Sequence, residues 1–267
     1  MVSIVHAARD IARVRQISLV LVRHGFGEIA RRIGFGRGKK PKEGAAADDE
    51  ISPEDEARGA KERQDASTAV RARRVLEELG PSFVKLGQIA STRADVLPPD
   101  LLAELKKLQD SVPEVPFEKI REQVERSLGA ELTDVFESVD ERPLAAASIA
   151  QVHRAVLKTE DGPRDVVVKV QRPGIAETIA SDLDLLHTLA ALVERTIPES
   201  KIYNPVGLVQ QFDKAITAEL DFATEGDNAV RFAQNFERFK NVRFPKVYKQ
   251  ASSKHVLTLE FIPGKKV

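Results

Sequence analysis

Two neighbouring features of this 267-residue chain could do chemistry: a lysine in an apolar strand and the small-residue turn before it. Lys169 stands among valines in the run VVVKV. Burying an unpaired ammonium group is expensive, so we expect a carboxylate partner or a bound anion. The turn, Ala145, Ala146, Ala147 and Ser148, is small enough for backbone N–H groups to approach a phosphate. A small turn, a strand, a polar turn and a strand with a lysine are the layout of a kinase-type nucleotide lobe.

Three acidic residues further along are candidates for the partner of the lysine. They are Glu219, Asp221 and Glu225 in the run AELDFATEGDNA. On one continuous helix Asp221 and Glu225 would share a face, with Glu219 rotated away. In a kinase-like lobe one carboxylate pairs with the lysine and orients it toward the phosphates. The alternative is a solvated helix face, and the strand lysine with its small turn favours the nucleotide hypothesis.

Composition excludes several classes of function. Formal net charge is zero, which argues against a globally basic nucleic-acid binder, and we expect no nucleic-acid partner. There is no cysteine, so disulfides, zinc–thiolate sites and thiol nucleophiles are excluded. The five histidines are far apart and none has metal-ligand spacing, so we predict no metal site from them. His153, on the first strand after the turn, is interpreted as structural.

The N-terminal segment is basic and amphipathic. Residues 1–42 carry about ten lysines and arginines against about two acids, and apolar positions over 8–33 have helical spacing. Such a segment can rest on an anionic membrane surface or cover its own domain, and both interpretations stay open. It lacks the apolar run of a signal peptide, and the chain has none long enough to span a membrane. We therefore expect a cytoplasmic protein, with peripheral contact at the inner face of the membrane through residues 1–40.

The pattern along the chain predicts four regions. We expect a basic helical segment over 1–40, a flexible polar linker over 41–65, helices over 66–134, and strands with inserted helices over 135–267. In the last region we expect helices over 175–195 and 205–239, the second broken near 221–226, and a closing strand pair over 243–250 and 255–261.

Four stretches together resemble a known family. They are KLGQ at 85–88, AAASIAQVH at 145–153, VVVKVQRPGI at 166–175 and ELDFATE at 219–225. In this order they resemble the UbiB family of atypical protein-kinase-like proteins, which are linked to ubiquinone biosynthesis. The resemblance covers nearly all of the chain. It implies an α+β fold: a protein-kinase-like N-lobe of antiparallel sheet plus helices, preceded by a helical KxGQ extension.

The resemblance implies a nucleotide site in the N-lobe. Ala145 to Ser148 would be the alanine-rich loop that replaces the glycine-rich loop of ordinary kinases. Lys169 would orient the phosphates, with Glu225 as its helix partner. Glu260 would lie at the hinge whose backbone contacts the adenine. The implied ligand is ATP or ADP with Mg²⁺.

The resemblance also implies a regulatory set. Lys85 and Gln88 would be the polar positions of the KxGQ helix, which folds over the active site as a gate. Glu219 and Asp221 would be the ExD pair near the phosphates. A helix that delivers a lysine to a site lined with acids gains charge-assisted contacts while it blocks access.

The chain departs from the family pattern at several points. Position 150 is alanine where relatives commonly have glycine, and Gly226 directly follows Glu225, where it weakens a helix. No HxDxHPGN-like loop and no DFG segment occur, so we expect the C-lobe and its metal ligands to be absent and catalysis to be incomplete.

The function implied for a full family member is an atypical kinase or ATPase that supports ubiquinone biosynthesis, with pathway lipids or proteins as partners. The alternative is a non-catalytic membrane-associated or partner-binding module derived from such a kinase. A third explanation is a split or truncated gene, which the downstream DNA would reveal.

Overall fold

A computed structural model describes residues 2–32, 52–94, 97–108, 113–196 and 198–264. In chain order the helices are α1 (Val2–Arg23), α2 (Gly27–Arg32), α3 (Pro53–Asp65), α4 (Thr68–Leu79), α5 (Pro81–Ala90), α6 (Pro99–Leu105), α7 (Phe117–Leu128), α8 (Leu132–Val135), α9 (Ile175–Thr196), α10 (Pro205–Glu219) and α11 (Phe222–Asn235). The strands are β1 (Phe136–Val139), β2 (Ala145–Ala146), β3 (Ala150–Leu157), β4 (Arg164–Gln171) and β5 (Val256–Glu260). The predicted mixture of helices and strands is confirmed.

The chain divides into two compact units. A helical unit contains Met1–Gln109 and Glu177–Asp213, and a sheet unit contains Asp110–Ala176 and Lys214–Val267. This division differs from the four predicted regions. Helix α7, predicted as part of the extension, belongs to the sheet unit, whereas α9 and most of α10, predicted inside the lobe, belong largely to the helical unit.

Helix α1 packs on its own unit. Ile17, Val20 and Val22 are buried. Helix α3 crosses α1 closely because Gly59 has no side chain: a Cβ there would lie 2.1 Å from the carbonyl oxygen of Val22. For the described part of α1, the covering interpretation of this amphipathic helix therefore holds.

Two arginines of α1, Arg13 and Arg23, are paired inside the helical unit. Arg13 donates to Asp182 from Nε at 2.6 Å and from Nη2 at 3.0 Å, and Asp182 is buried. Arg23 pairs with Asp55 at 2.6 Å, and this hydrogen bond lowers the pKa of the Asp55 carboxyl. Side chains before residue 13, and those of Arg31 and Arg32, lie outside the described residues.

The predicted linker is partly wrong. Residues 53–65 form α3, whose first turn is capped by Ser52, the acceptor of a 3.1 Å bond from the Asp55 N–H. A serine cap, proline at the first helical position and acids in the first turn all favour a helix, and the acidic composition concealed that signal. The predicted linker residues 41–51 lie outside the described residues.

Helices α4, α5 and α6 pack around the glycine of the KxGQ motif. A Cβ on Gly87 would lie 2.3 Å from Leu108 Cδ1 and 2.7 Å from Leu76 Cδ1. Val84 and Leu105 are buried in the same cluster. The motif glycine is therefore a packing position, which leaves the polar residues on either side of it for another role.

The sheet unit is built on an antiparallel sheet in the order β1-β3-β4-β5, with β2 paired to β3 beside β1. Val166, Val168 and Val170 of β4 are buried in one cluster with Ile120 and Val124 of α7. This alternation fixes one face of β4 against α7 and leaves the other face for the site.

One predicted strand is wrong, and the predicted helix break is present. Over 243–250 the chain makes only a single bridge, Val247 to Leu259, followed by a 3₁₀ turn at Lys249–Ala251. Pro245 has no N–H to offer a longer ladder. The break between α10 and α11 falls at 220–221, just before or at the start of the predicted range.

We predict that Arg13→Leu lowers the free energy of unfolding by about 3 kcal/mol or more, because it leaves the Asp182 carboxylate buried and unpaired. The double variant Arg13→Leu, Asp182→Leu should recover much of this loss, since no charge then remains buried. Urea unfolding followed by circular dichroism measures both. If the single variant is as stable as the original chain, the ion pair does not hold α1 in place.

Candidate functional site

Lys169 lies on the open face of β4. The apolar core strand predicted around the lysine is present as β4, but the lysine is not enclosed by its buried valines. Val166, Val168 and Val170 are buried, while Lys169 points to the opposite face with its side chain 27% exposed. The lysine therefore reaches its partner at the edge of the core, where an ammonium group keeps part of its hydration.

The partner of Lys169 is Glu225 of α11. The lysine Nζ lies 2.6 Å from Oε2 and 2.9 Å from Oε1, so it bridges both carboxylate oxygens. It also lies 4.6 Å from the centre of the Phe222 ring. The Glu225 side chain is 46% exposed, and pairs this exposed contribute only about 1 kcal/mol or less to stability. The contact matters more for the direction of the lysine than for the fold.

The other two acids stand at the junction before α11. Helix α10 ends at Glu219, so the continuous helix considered above is not formed. Asp221 caps α11, accepting from the N–H groups of Ala223 at 3.0 Å and Thr224 at 3.2 Å. Its carboxylate therefore starts the helix that carries Glu225. The role of the ExD pair near phosphates stays a prediction.

Gly226 allows α11 to approach the sheet. A Cβ there would lie 3.1 Å from Leu257 Cδ1 and 3.4 Å from Val247 Cγ1, so only a residue without a side chain fits easily. Its cost in helix propensity, expected from the sequence, is offset by this close packing. Because Glu225 precedes Gly226, the close approach brings the carboxylate within reach of Lys169.

The alanine turn is the tip of a hairpin. Ala145 and Ala146 form β2 and pair with β3. The N–H of Ala147 donates to the carbonyl of Ala150 at 2.8 Å, which closes the turn. That amide is therefore committed, whereas no backbone carbonyl among the described residues accepts from the N–H groups of Ser148 and its neighbour Ile149.

Glu260 ends β5, and its groups are engaged. Its N–H donates to the carbonyl of Lys246 at 2.8 Å, and its side chain pairs with Arg243. Any backbone contact from Glu260 to an adenine would thus have to use the carbonyl oxygen. The hinge role stays a prediction.

Four apolar residues on the lysine face were not predicted from the sequence. Val152 and Leu257 lie opposite Lys169 in the neighbouring strands, and Val167 and Leu259 form the next pair on the same face. Val152, Val167 and Leu259 are half-buried and form an apolar surface beside the lysine. The period-2 alternation in β4 could have identified Val167, but the partners on β3 and β5 depend on strand register.

Gln171 was also missed, although it orders the junction. It is 2% exposed, its Nε2 donates to the carbonyl of Leu220 at 3.1 Å, and its Oε1 lies 2.7 Å from His255 Nδ1. It thereby ties the end of β4 to the segment between the two ExD acids.

His153 is structural, as interpreted from the sequence. It is fully buried, with Nδ1 2.7 Å from the carbonyl of Asp140 and Nε2 3.0 Å from the amide of Gln151. Gln151 in turn exchanges two hydrogen bonds with the backbone of Val115. The chain leading into α7 is therefore fastened to β3 through buried polar groups.

The KxGQ residues lie on α5 in the helical unit. Lys85 and Gln88 are half-buried one turn apart, and Gln88 Nε2 donates to the carbonyl of Leu108 at 3.3 Å. Their action as a gate stays a prediction.

The described residues contain neither a candidate metal cluster nor a candidate membrane-spanning helix. Within them, no group of three or more histidines and carboxylates could hold a metal ion. None of the helices described combines the length and apolar character needed to cross a bilayer. We therefore assign no residue to Mg²⁺.

One domain family and several known proteins are similar to this chain. Residues 107–267 match the ABC1 atypical kinase-like domain. The chain belongs to that family. It is 43% identical over 204 residues to the "Probable protein kinase UbiB" of Aeromonas salmonicida, an alignment that covers 76% of the chain and 37% of the relative. The protein of the same name from Marinobacter nauticus is 44% identical over 194 residues, covering 73% of the chain and 35% of the relative.

A solved structure supports the fold. A Mycobacterium tuberculosis protein determined in complex with erythromycin matches with a TM-score of 0.50 and 29% identity, over 71% of this chain and 47% of that one. The kinase-like α+β fold expected from the sequence is thus confirmed. The chain spans about 37% of the length of the first curated relative that it matches.

We predict that Gly226→Val separates Lys169 from Glu225, because a branched side chain would force α11 away from Leu257 and Val247. Gly226→Ala is the matched control, since it adds one methyl group and improves helix propensity. The valine variant should lose about 1–3 kcal/mol of stability in thermal or urea unfolding, and the alanine variant less than about 1. Equal stability of the two variants would contradict a tight contact.

Proposed function

We propose that the sheet unit binds an adenine nucleotide and that Lys169 directs its phosphates. The observation that carries the proposal is the bidentate contact of Lys169 with Glu225 on the open face of the sheet. A lysine held this way keeps a fixed direction while part of its ammonium remains accessible, as recognition of α- and β-phosphates requires. Membership of a kinase-like family supports the same assignment.

The remaining features supply the other parts of a nucleotide. The apolar surface of Val152, Val167 and Leu259 suits the face of an adenine, since ligand sites combine apolar walls with a few placed polar groups. The small hairpin tip would meet the phosphates through the backbone N–H groups of Ser148 and Ile149. When bound with the nucleotide, Mg²⁺ would offset phosphate charge, and no described residue is assigned to hold it.

In the full-length relatives this unit is part of a longer protein, and we propose the same context here. The chain would contribute the nucleotide-binding portion of an atypical kinase or ATPase of the UbiB type that supports ubiquinone biosynthesis. Lipids or proteins of that pathway would be its partners, and Lys85 and Gln88 would gate access. The support is sequence identity of about 43% to proteins named "Probable protein kinase UbiB".

The alternative function is a membrane-associated module that acts through residues 1–40. Arg13 and Arg23 weigh against it, because both are paired inside the helical unit. Sedimentation with vesicles of phosphatidylcholine and phosphatidylglycerol tests it. Salt-sensitive binding that is lost on deleting residues 1–40 would favour the membrane function.

We predict that Lys169→Met weakens ATP binding about tenfold or more, because the phosphates lose a charge-assisted contact. Glu225→Gln should weaken it less, since the lysine keeps its charge and loses only its orientation. Isothermal titration calorimetry with the 267-residue chain measures each affinity.

The control is Lys158→Met, which removes an equal charge from a surface lysine bound to the carbonyl of Thr133. It should leave ATP affinity unchanged. If the original chain binds no ATP, or if Lys169→Met binds as tightly as Lys158→Met, the proposed function is wrong.

A further inference from the structure

Arg172, the first residue after β4, holds the alanine turn from two sides. Its backbone N–H donates to the carbonyl of Ile149 at 2.9 Å. Its side-chain Nε donates to the carbonyl of Ala147 at 2.8 Å. The two accepting carbonyls flank Ser148, so one residue fixes the main chain on both sides of the centre of the turn.

The bond to Ala147 decides where the next amide points. The carbonyl of Ala147 and the N–H of Ser148 belong to one peptide group, and no cis peptide occurs among the described residues. In a planar trans peptide the carbonyl and the N–H point in opposite directions. With its carbonyl held by Arg172, this peptide must direct the Ser148 N–H away from Arg172.

The guanidinium is itself anchored. Its Nη1 donates to the carbonyl of Pro113 at 2.9 Å, in the segment that leads into α7. Its Nη2 is buried and has no hydrogen-bond partner among the described residues. Burial lowers the pKa of the Arg172 guanidinium. The planar guanidinium carries donors on three separate nitrogens, and here two of them reach two carbonyls; a lysine ammonium, with all its donors on one nitrogen, does not reproduce this spread.

A half-buried guanidinium beside a turn adds positive potential there. Solvent ions screen a partly buried charge less than a fully exposed one, and among the described residues no salt bridge to Arg172 is formed that would cancel it. Both effects, a fixed amide direction and an uncancelled charge, favour an anionic ligand at the turn. Neither effect strengthens the binding of adenosine, which is uncharged.

We propose that Arg172 is a positioning residue for the nucleotide phosphates: by holding the Ala147 carbonyl, it directs the Ser148 N–H toward them. The inference rests on the proposed function and deepens it. The group recognised is the di- or triphosphate portion of the nucleotide. Arg172 acts through the turn and does not itself contact the ligand.

The test compares charged and uncharged ligands on the 267-residue chain. ATP, ADP and adenosine are titrated by calorimetry into the original chain, Arg172→Gln, Arg172→Lys and the control Arg164→Gln. Arg164 is an exposed arginine at the other end of β4, so its loss removes the same charge without touching the turn.

We expect both Arg172 variants to bind ATP and ADP about tenfold more weakly, with adenosine affinity changed less than about twofold. The Arg164 variant should match the original chain for all three ligands. Equal losses for ATP and adenosine would reduce Arg172 to a purely structural role and overturn the inference, as would unchanged ATP affinity. An original chain that binds none of the ligands would instead sink the proposed function on which the inference depends.

A second measurement needs no variant and covers the case in which the Arg172 variants fail to fold. In the amide NMR spectrum of the original chain, ATP should shift the Ser148 N–H resonance strongly and adenosine should shift it little. The Ala147 N–H, bonded to Ala150, should move less with either ligand. A Ser148 resonance that ATP leaves in place would contradict the inference.

Discussion

The contact between Lys169 and Glu225 is the constraint on which the candidate site depends, and three separate features of the sheet unit have to agree before it can form. Strand alternation must turn the lysine away from the valine core. The chain must break between α10 and α11, so that Asp221 can start a new helix in the right direction. Gly226 must let that helix lie close to β5. A fault in any of these would leave the lysine without its partner.

The Lys169 and Glu225 side chains, which form the candidate site, contribute little to the stability of the sheet unit. The lysine pair is partly exposed and worth about 1 kcal/mol or less in stability. Rigidity comes instead from buried neighbours. Apolar packing of Val166, Val168 and Val170 fixes one face of β4, and the buried amide of Gln171 fastens the helix junction to the end of that strand. Because different residues form the site and stabilise the sheet unit, the site residues can be substituted while the unit stays folded.

In the helical unit, ion pairs hold the helices together alongside apolar packing. Arg13 reaches a buried carboxylate, Asp182, and Arg23 bridges α1 to α3 through Asp55. The sequence of a basic amphipathic helix can thus resemble that of a membrane anchor, although arginines of the helix form ion pairs within its own unit. The KxGQ glycine is explained by packing as well, since Gly87 lies between Leu76 and Leu108.

The sequence by itself determined the residue pattern of the candidate site: a strand lysine, a small turn and an acidic helix start, in an order that resembles one family. It also located the helix break and β5, because local patterns of turn residues and apolar spacing specify them. It could not decide which face Lys169 occupies relative to Val152 and Leu259, since that depends on strand register. The sequence predicted a linker where α3 forms, because the acidic composition outweighed the capping signal. It also predicted a strand where only a bridge forms, because the proline signal was outweighed. The hydrogen bond from Arg172 to the Ala147 carbonyl in the alanine turn joins residues 25 positions apart, and only the tertiary structure brings them together.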